Sequence, residues 1–484
     1  MAPPDFVVIV ADQLRADAVG AFGAEHARTP NLDGLAAAGM TFTNAFVQHP
    51  VCSPSRASFL TGWYPHTAGH RTLDGLLRPD EPNFLRTFRD HGYHVAWAGD
   101  RGDTFARRAT ELSVHEHGFT EVPAGPRWGG EPAERRRRRP AVSGIEPEDS
   151  LWDRLFYGGE VLDDALDFDE AAVRTAESWL ADPPEQPWIL FVPLIAPHCP
   201  FEAAEPWFSL HDRDTQPAPL PPSAGPAYLA AIREKYGLDR ATPAVWQEVA
   251  AVYQGMVSRL DAHVGRIVAA LAPETVVAFF ADHGEYLGDF GVIEKWPSAM
   301  HACITRDPLI LSGGPVPAGH RSDALVELVD VFPTLLDLAG IEPDHVHYGQ
   351  SLRHLFGNPE GEHRQYAFTE GGFLAEEEPR LERGAFPYDL KGELQHENPR
   401  LVGKAFAARD RDWTYVWRLY EPPELYDRRT DPAETRNLAG RAESASVEDR
   451  MREAVLTWLA TTADVLPAHR DPRRPAVDLP VPKP

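Results

Sequence analysis

The residues from Val51 to Gly62 are the part of this chain whose types and spacing could most directly do chemistry. Cys52, one of three cysteines among 484 residues, precedes Arg56 by four positions, with a proline and two serines between them. A lone free cysteine is most often a small buried apolar residue, but a thiolate beside an arginine can act as a nucleophile. The segment on its own leaves both interpretations open.

Two further pairs of polar residues could bind a metal ion. Asp12 and Gln13 follow the first apolar run of the chain, and Asp282 and His283 follow a later one. Together they offer two carboxylates, one amide oxygen and one imidazole. Ca²⁺ prefers oxygen donors and tolerates irregular geometry, while the single nitrogen donor keeps Mg²⁺ and Mn²⁺ as alternatives. Each residue alone is equally typical of a turn or a helix cap.

The runs that precede these residues predict a doubly wound α/β fold. Continuous apolar runs are typical of strands buried inside a parallel sheet, and here strand-like runs alternate with segments of helical spacing. The strand-like runs are residues 6–11, 40–46, 93–99, 188–194 and 276–281, and the helix-like segments are residues 29–39, 83–92, 246–271 and 326–340. Because open α/β sheets place their ligands at the carboxyl ends of the strands, we expect the polar residues that follow these runs to meet at one edge. They are Asp12, Cys52, His198 and Asp282.

The composition of the chain changes near residue 360, which predicts two parts. Residues 1–365 are interpreted as a catalytic α/β domain. Residues 366–484 contain a stretch rich in Glu and Pro, strand-like runs at 413–417 and 424–427, and a Pro-rich end. They predict a small C-terminal α+β subdomain with an antiparallel sheet, a helix and an extended tail.

The acidic balance of the chain limits its partners. Its net charge is −26, so we do not expect it to bind nucleic acid or an anionic membrane over its whole surface. An anionic substrate would need a local basic pocket. The unbroken basic run Arg135–Arg139 is interpreted either as a solvated loop or as a cationic rim that steers an anion toward the site.

The sequence pattern does not indicate export or membrane insertion. The N-terminus lacks a charged segment followed by an apolar one, and no run approaches the ~18 apolar residues of a membrane span. Three scattered cysteines are too few for a disulfide framework or a Cys-rich zinc site. We therefore expect a cytoplasmic protein, and the pattern leaves its oligomeric state open.

Taken together, the motifs resemble those of the type I, formylglycine-dependent sulfatases of the alkaline phosphatase superfamily. The element Cys-x-Pro-Ser-Arg at residues 52–56 is the most specific match, and softer matches occur in the family's order along almost the whole chain. They are residues 9–17, 29–35, 64–66, 196–200, 282–288, 295–296, 349–352 and 425–439. The resemblance implies an alkaline phosphatase/sulfatase-like fold: a large mixed, mostly parallel sheet flanked by helices on both faces, with a small C-terminal α+β subdomain.

The resemblance also implies a modified nucleophile and a metal centre. Cys52 would be oxidised to 3-oxoalanine (formylglycine) by a formylglycine-generating enzyme, and one hydroxyl of the hydrated aldehyde would attack sulfur. One divalent cation, Ca²⁺ in the first place and Mg²⁺ or Mn²⁺ as alternatives, would acidify that diol. Its ligands would be Asp12, Gln13, Asp282, His283 and the modified side chain of Cys52.

Three further residues receive catalytic roles from the same resemblance. Arg56 would hold the diol and neutralise charge. Lys295 would bind sulfate oxygens, and His198 would protonate the leaving group. The implied substrate is a small anionic sulfate ester.

The chain departs from the family pattern at residues 99–103. Many sulfatases carry Gly-Lys-x-His there, whereas this chain reads Gly-Asp-Arg-Gly-Asp. We expect Arg101, together with His66 or His70, to supply the missing contacts to sulfate, although a surface arginine and loop histidines would explain these residues equally well.

Three functions remain open on these observations. The first is a metal-dependent, formylglycine-using sulfatase that acts on a sugar sulfate or another small organic sulfate. The second, favoured by the departure at residues 99–103, is a phosphonate monoester or phosphodiester hydrolase on the same scaffold. The third is a non-catalytic binding protein, which the presence of Cys52, Arg56, His198 and Lys295 disfavours.

Overall fold

A mixed β-sheet lies at the centre of the protein. The computed structural model describes residues 3–123, 136–163 and 165–465. The strands within these residues are β1 Phe6–Asp12, β2 Gly39–Phe46, β3 His94–Ala98, β4 Glu116–Gly118, β5 Arg137–Arg138, β6 Tyr157–Val161, β7 Trp188–Pro197, β8 Phe201–Ala203, β9 Val276–Ala281, β10 Arg306–Ser312, β11 His320–Glu327, β12 Ala367–Gly371, β13 Ala405–Arg409, β14 Trp413–Arg418 and β15 Glu424–Asp427. Eight of them form the central sheet in the order β11-β2-β10-β9-β1-β7-β3-β4.

The α-helices complete the framework. They are α1 Pro30–Ala37, α2 Cys52–Thr61, α3 Pro65–Ala68, α4 Phe84–Asp90, α5 Ala109–Ser113, α6 Ser150–Arg154, α7 Phe168–Leu180, α8 Ala227–Tyr236, α9 Pro243–Ala269, α10 Ala302–Thr305, α11 Val331–Ala339, α12 Asp389–Glu397 and α13 Ala445–Thr462. None of the helices in the described part of the chain combines the length and the apolar composition that a membrane crossing needs.

The pairing of the central sheet confirms the predicted fold class. Strand β1 is parallel to β7 and β9, β2 to β11, and β3 to β7 and β4. Only β10 among these strands runs antiparallel to its neighbours β2 and β9. The sheet is therefore mixed and mostly parallel.

Alternate side chains of β1 show why helices cover both faces of this sheet. Val7 and Ile9 are fully buried in a cluster that includes residues of α1, α7 and α9. Val8 and Val10 are buried in a second cluster with residues of α2, α4 and α11. Successive side chains of a strand point to opposite faces, so a strand that is apolar at every position needs a helical layer on each side.

The C-terminal part forms its own antiparallel sheet, β12-β13-β14-β15. Trp458 of α13 stacks on Phe368 of β12, with ring centroids 4.7 Å apart. The sequence indicated fewer strands here, since β12 and β13 were not recognised. The predicted domain boundary between residues 365 and 366 stays a prediction, and the predicted extended tail, about the last dozen residues, lies outside the described residues.

One predicted helix, residues 326–340, is only partly correct. Val326 and Glu327 are the last residues of β11 and pair with Ala45 and Phe46 of β2. The α-helix begins at Val331. Strand pairing with β2 overrides the helical spacing, as tertiary contacts often do with local propensity.

Each described arginine of the basic run forms an ion pair with an acidic side chain. The pairs are Arg136–Asp163, Arg137–Glu202, Arg138–Glu160 and Arg139–Asp153. This local neutralisation favours the solvated-surface interpretation over a cationic rim. Arg135 lies outside the described residues.

A buried charge cluster joins the end of β11 to Arg364, which lies just before the C-terminal part. Arg364 Nη1 lies 2.9 Å from Glu327 Oε2, and its Nη2 atom pairs with Asp330. Replacing Arg364 with methionine should lower the free energy of unfolding by ~3–5 kcal/mol, because two buried carboxylates lose their counter-charge. Urea denaturation would measure this loss. The exposed pair Arg353–Asp337 provides the control, since Arg353→Met should cost less than ~1 kcal/mol; equal effects of the two substitutions would contradict the prediction.

Candidate active site

Four buried side chains bring their donor atoms together at the carboxyl edge of the central sheet. Asp12 ends β1, Cys52 begins α2, and Asp282 and His283 follow β9 directly. The Sγ atom of Cys52 lies 3.1 Å from His283 Nε2 and 3.5 Å from Asp12 Oδ1. One donor atom of each residue lies within 4.8 Å of the others. Below, these four residues are called the donor group.

Hydrogen bonding gives His283 the tautomer of a metal ligand. Its Nδ1 atom lies 2.9 Å from the Gly284 carbonyl oxygen, which can only accept. Nδ1 therefore carries the proton, and Nε2 presents its lone pair to the donor group. Burial lowers the pKa of His283 from its ordinary value of 6.5, which keeps the ring neutral near neutral pH.

The two carboxylates of the donor group repel each other. Burial and then the charge of Asp12 raise the pKa of Asp282. Burial acts in the same direction on Asp12, but the Arg101 and Arg56 guanidinium groups help to hold its pKa well below its ordinary value. A divalent cation would relieve this repulsion, and its usual ligands are carboxylate oxygens and a neutral imidazole. Charge and donor chemistry therefore both fit such an ion.

Arg56 lies one helical turn after Cys52 on α2, which places both side chains on the same helix face. Its Nη2 atom lies 3.2 Å from Asp12 Oδ2 and 2.7 Å from Asp282 Oδ2, and the side chain is fully buried. The Nη1 atom makes no hydrogen bond to any described residue. Because a buried donor without a partner is costly, Nη1 suits an oxygen atom that a ligand brings.

Lys295 and His198 form a second buried pair. Lys295 Nζ lies 2.9 Å from His198 Nε2, and His198 Nδ1 lies 2.6 Å from the Cys199 carbonyl oxygen. Since the carbonyl can only accept, Nδ1 holds a proton and Nε2 accepts one from the Lys295 ammonium. Burial and then the charge of Lys295 lower the pKa of His198 to about 3. The proton between the two residues therefore belongs to Lys295 in this structure.

Gln13 contacts both the donor group and the Lys295–His198 pair. Its backbone N–H lies 3.2 Å from Asp282 Oδ1, while its side-chain Oε1 accepts a hydrogen bond of 2.7 Å from Lys295 Nζ. The side-chain amide also donates to Glu285. The structure turns the Gln13 oxygen toward Lys295, so the predicted role of Gln13 as a metal ligand stays a prediction.

Comparison with known proteins identifies the family. The family model described as Sulfatase matches residues 4–341, which is more than half of the chain. The chain belongs to the sulfatase family. This membership confirms the predicted enzyme class, a sulfuric ester hydrolase.

Relatives and solved structures place this sulfatase in the alkaline phosphatase-like superfamily. The uncharacterized sulfatase YidJ of Escherichia coli is 27% identical over 500 residues, which cover 98% of this chain and 91% of the relative. The structure of a phosphonate monoester hydrolase of Agrobacterium radiobacter has a TM-score of 0.74 at 24% identity, covering 95% of this chain and 96% of that one. A 2-O GAG sulfatase has a TM-score of 0.70 at 20% identity, with 97% and 96% covered.

Arg101 contacts the donor group of this sulfatase, and its predicted role in substrate binding stays a prediction. Its Nη2 atom lies 2.6 Å from Asp12 Oδ2 and 2.6 Å from Asp103 Oδ2, and Nη1 donates to the Leu194 carbonyl oxygen at 2.8 Å. Asp103 also lies 3.6 Å from Arg56 Nε. The arginine at this departure from the family pattern thus holds Asp12 in place.

The structure does not bring His66 and His70 into the site. His66 Nδ1 lies 2.6 Å from Glu370 Oε1, and its Nε2 atom lies 2.9 Å from Thr462 Oγ1 of α13. His70 bonds within its own loop, to the Gly75 carbonyl oxygen and to Glu81. His66 therefore lies at the junction with the C-terminal part, and His70 stabilises the loop in which it lies.

Sequence reasoning missed three charged residues around the sulfatase site. They are Asp103, Glu294 and Lys391. A signal existed for Asp103, because a buried arginine at residue 101 needs a counter-charge nearby. Glu294 and Lys391 lie 97 positions apart, and no sequence pattern indicated that they pair.

Proposed function

We propose that this sulfatase hydrolyses a small organic sulfate, in the first place a sugar sulfate, through a formylglycine at residue 52 and one divalent cation. The observation that carries the proposal is the position of the Cys52 side chain inside the donor group, 3.1 Å from His283 Nε2. A residue 52 with oxygen substituents in that place would share the ligand shell of the cation. Asp12, Asp282 and His283 would supply the other ligands.

The environment of Cys52 disfavours the thiolate alternative. Burial, and next the charge of Asp12, raise the pKa of the Cys52 thiol well above its ordinary value. Reactive cysteines instead have a depressed pKa and an electropositive, partly exposed setting. An unmodified Cys52 would therefore stay protonated and weakly nucleophilic, which supports conversion to another functional group.

The cofactors would supply the nucleophile and its activation. The hydrated aldehyde of formylglycine would provide the attacking hydroxyl, and Ca²⁺, or Mg²⁺ or Mn²⁺ in its place, would lower the pKa of that hydroxyl and polarise a sulfate oxygen. Arg56 donates from Nη1 to an oxygen at residue 52 or on the sulfate, a task for which a rigid guanidinium is suited. Its buried position excludes water from that contact.

Lys295 and His198 act on the sulfate and on the leaving group. The three N–H groups of Lys295 contact Gln13, His198 and Glu294, so Lys295 would bind a sulfate oxygen in exchange for one of these contacts. Lys295 Nζ and His198 Nε2 lie 2.9 Å apart, so a proton of the Lys295 ammonium can pass to His198 Nε2, which would donate it to the leaving oxygen as the ester bond breaks. The negative charge of a bound substrate would raise the pKa of His198 and favour this transfer.

The burial of Cys52 constrains its maturation. The side chain is 1% exposed at the start of α2, beyond the reach of another enzyme's active site. A formylglycine-generating enzyme would have to meet the segment around residues 52–56 before the chain has folded.

A paired hydrolysis assay tests the proposed function. The metal-loaded protein, co-produced with a formylglycine-generating enzyme, would be given p-nitrophenyl sulfate and a p-nitrophenyl phosphonate monoester at equal concentration, followed by a panel of sulfated sugars. We expect faster release from sulfate esters. Because the two ester classes share a tetrahedral centre, turnover of the phosphonate alone would overturn the proposal and favour the phosphonate monoester or phosphodiester hydrolase. Turnover of neither class would favour a binding protein.

A further inference from the structure

A segment of the C-terminal part reaches back into the active site. Strands β12 and β13 are neighbours in the C-terminal sheet, and residues 372–404 form an insert between them that contains α12. Apolar side chains of this insert, among them Leu394 and Val402, belong to the hydrophobic cluster of the central sheet. The insert is thus packed against the catalytic part rather than the C-terminal sheet that it leaves.

The insert places a buried lysine next to the sulfate-binding residue. Lys391 of α12 is 4% exposed, and its Nζ atom lies 2.9 Å from Glu294 Oε2. The other carboxylate oxygen of Glu294 lies 2.6 Å from Lys295 Nζ. One carboxylate therefore bridges two ammonium groups, and Lys391 also lies 3.5 Å from Glu382 Oε2.

Two of the five lysines of the chain contact this single carboxylate. A buried lysine is costly unless it is paired, so Lys391 calls for an explanation beyond helix packing. A second contact ties the same insert to the site, because Tyr388 Oη lies 3.1 Å from Cys199 Sγ, next to His198.

We propose that Lys391 is a positioning residue for anion binding: by pairing with Glu294 Oε2, it offsets the charge of that carboxylate and so weakens its competition with a bound sulfate group for the Lys295 ammonium. This inference rests on the proposed function, in which Lys295 binds a sulfate oxygen. Without Lys391, the full charge of Glu294 would fall on Lys295 and compete with the substrate anion. The field at the sulfate would also lose one positive charge.

The physical argument predicts a specific pattern of variants. Lys391→Met should raise the dissociation constant for sulfate and the KM for a sulfate ester by about 10-fold, with little change in kcat, because uniform anion binding is lost. Lys391→Arg should restore most of the affinity. The double variant Glu294→Gln/Lys391→Met should also recover it, since the competing carboxylate is gone together with its partner.

Lys235 of α8 provides a matched control, because it pairs with glutamates of α12 that lie away from the active site. Its Nζ atom lies 2.8 Å from Glu397 Oε1 and 3.1 Å from Glu393 Oε2 of α12, and it has no contact with Glu294 among the described residues. Lys235→Met removes a lysine that holds α12 on α8 without changing the charge at the site. It should leave sulfate binding at the wild-type value.

Two measurements on the metal-loaded full chain test the proposal: calorimetric titration with inorganic sulfate, and kinetics on the sulfate ester that the wild type turns over best. Weaker binding in Lys391→Met with recovery in both rescue variants is the expected result. Wild-type affinity in Lys391→Met, an equal loss in Lys235→Met, or failure of the double variant to recover would overturn it. A wild-type protein that neither binds sulfate nor releases it would instead overturn the proposed function itself, and this inference with it.

Discussion

Replacing Cys52 with alanine is expected to lower the rate of sulfate release by at least ~10⁴-fold, because the side chain that becomes the nucleophile is gone. Alanine is small, favours helices and can occupy the first position of α2 without disturbing its packing. The loss should therefore appear in kcat while the thermal unfolding temperature stays close to that of the wild type. Steady-state kinetics and a thermal melt on the same preparation would measure both.

Cys303 provides the matched control for this experiment. It is a free cysteine that lies outside the donor group. Cys303→Ala should leave the sulfate release rate unchanged. Substantial activity in Cys52→Ala would contradict a covalent role for residue 52, and an equal loss in both variants would point to damage of the fold.

Loss of the divalent cation should have the next largest effect. After treatment with a chelator, we expect the protein to lose sulfate release and to regain it when Ca²⁺, Mg²⁺ or Mn²⁺ is added, with the metal that restores most identifying the native ion. Asp282→Asn should weaken metal binding by about 100-fold or more, because even residues that only orient metal ligands contribute 10- to 100-fold. Calorimetric titration with each ion would measure this affinity independently of turnover.

Asp307 offers a control of equal burial. It lies on β10 with no exposed surface, and it is outside the donor group. Burial and then the charge of Asp282 raise the pKa of Asp307 well above its ordinary value, and Asp307→Asn replaces this buried carboxyl with an amide of similar shape without removing a member of the donor group. Metal affinity close to wild type in Asp282→Asn, or an equal loss in both variants, would argue against the donor group as the metal site.

The sequence was most informative about polar residues that stand at the end of a strand. Asp12 and Asp282 stand directly after the buried runs that become β1 and β9, and these strands are neighbours in the central sheet. Their convergence could therefore be predicted from their positions after strand-like runs and the rule that parallel strands end at one edge. The same reasoning placed Cys52 and His198 close to them.

The sequence was least informative about charges that meet through tertiary packing. Arg101 was predicted to contact the substrate. In the structure its guanidinium group contacts Asp12 and Asp103. His66 is near Cys52 in sequence, yet its imidazole ring contacts Thr462 of α13. Asp12 and Thr462 are both distant in sequence from the residues that they contact, and periodicity carries no information about such pairs.

The position of the C-terminal insert, residues 372–404, also could not be predicted from the sequence. The change of composition near residue 360 marks the start of a second sheet, but α12 packs on α8, within the hydrophobic cluster that covers one face of the central sheet, and Lys391 of α12 reaches Glu294. Chain order assigned the whole segment to the C-terminal part. The packing of its apolar residues, which the sequence does not specify, assigns α12 to the active site.

The central claim is that residue 52 is a formylglycine in the working enzyme. Its most direct test is the mass of the proteolytic peptide that contains residue 52, taken from a preparation that releases sulfate. We predict a mass that matches formylglycine. An unmodified cysteine throughout an active preparation would contradict the account.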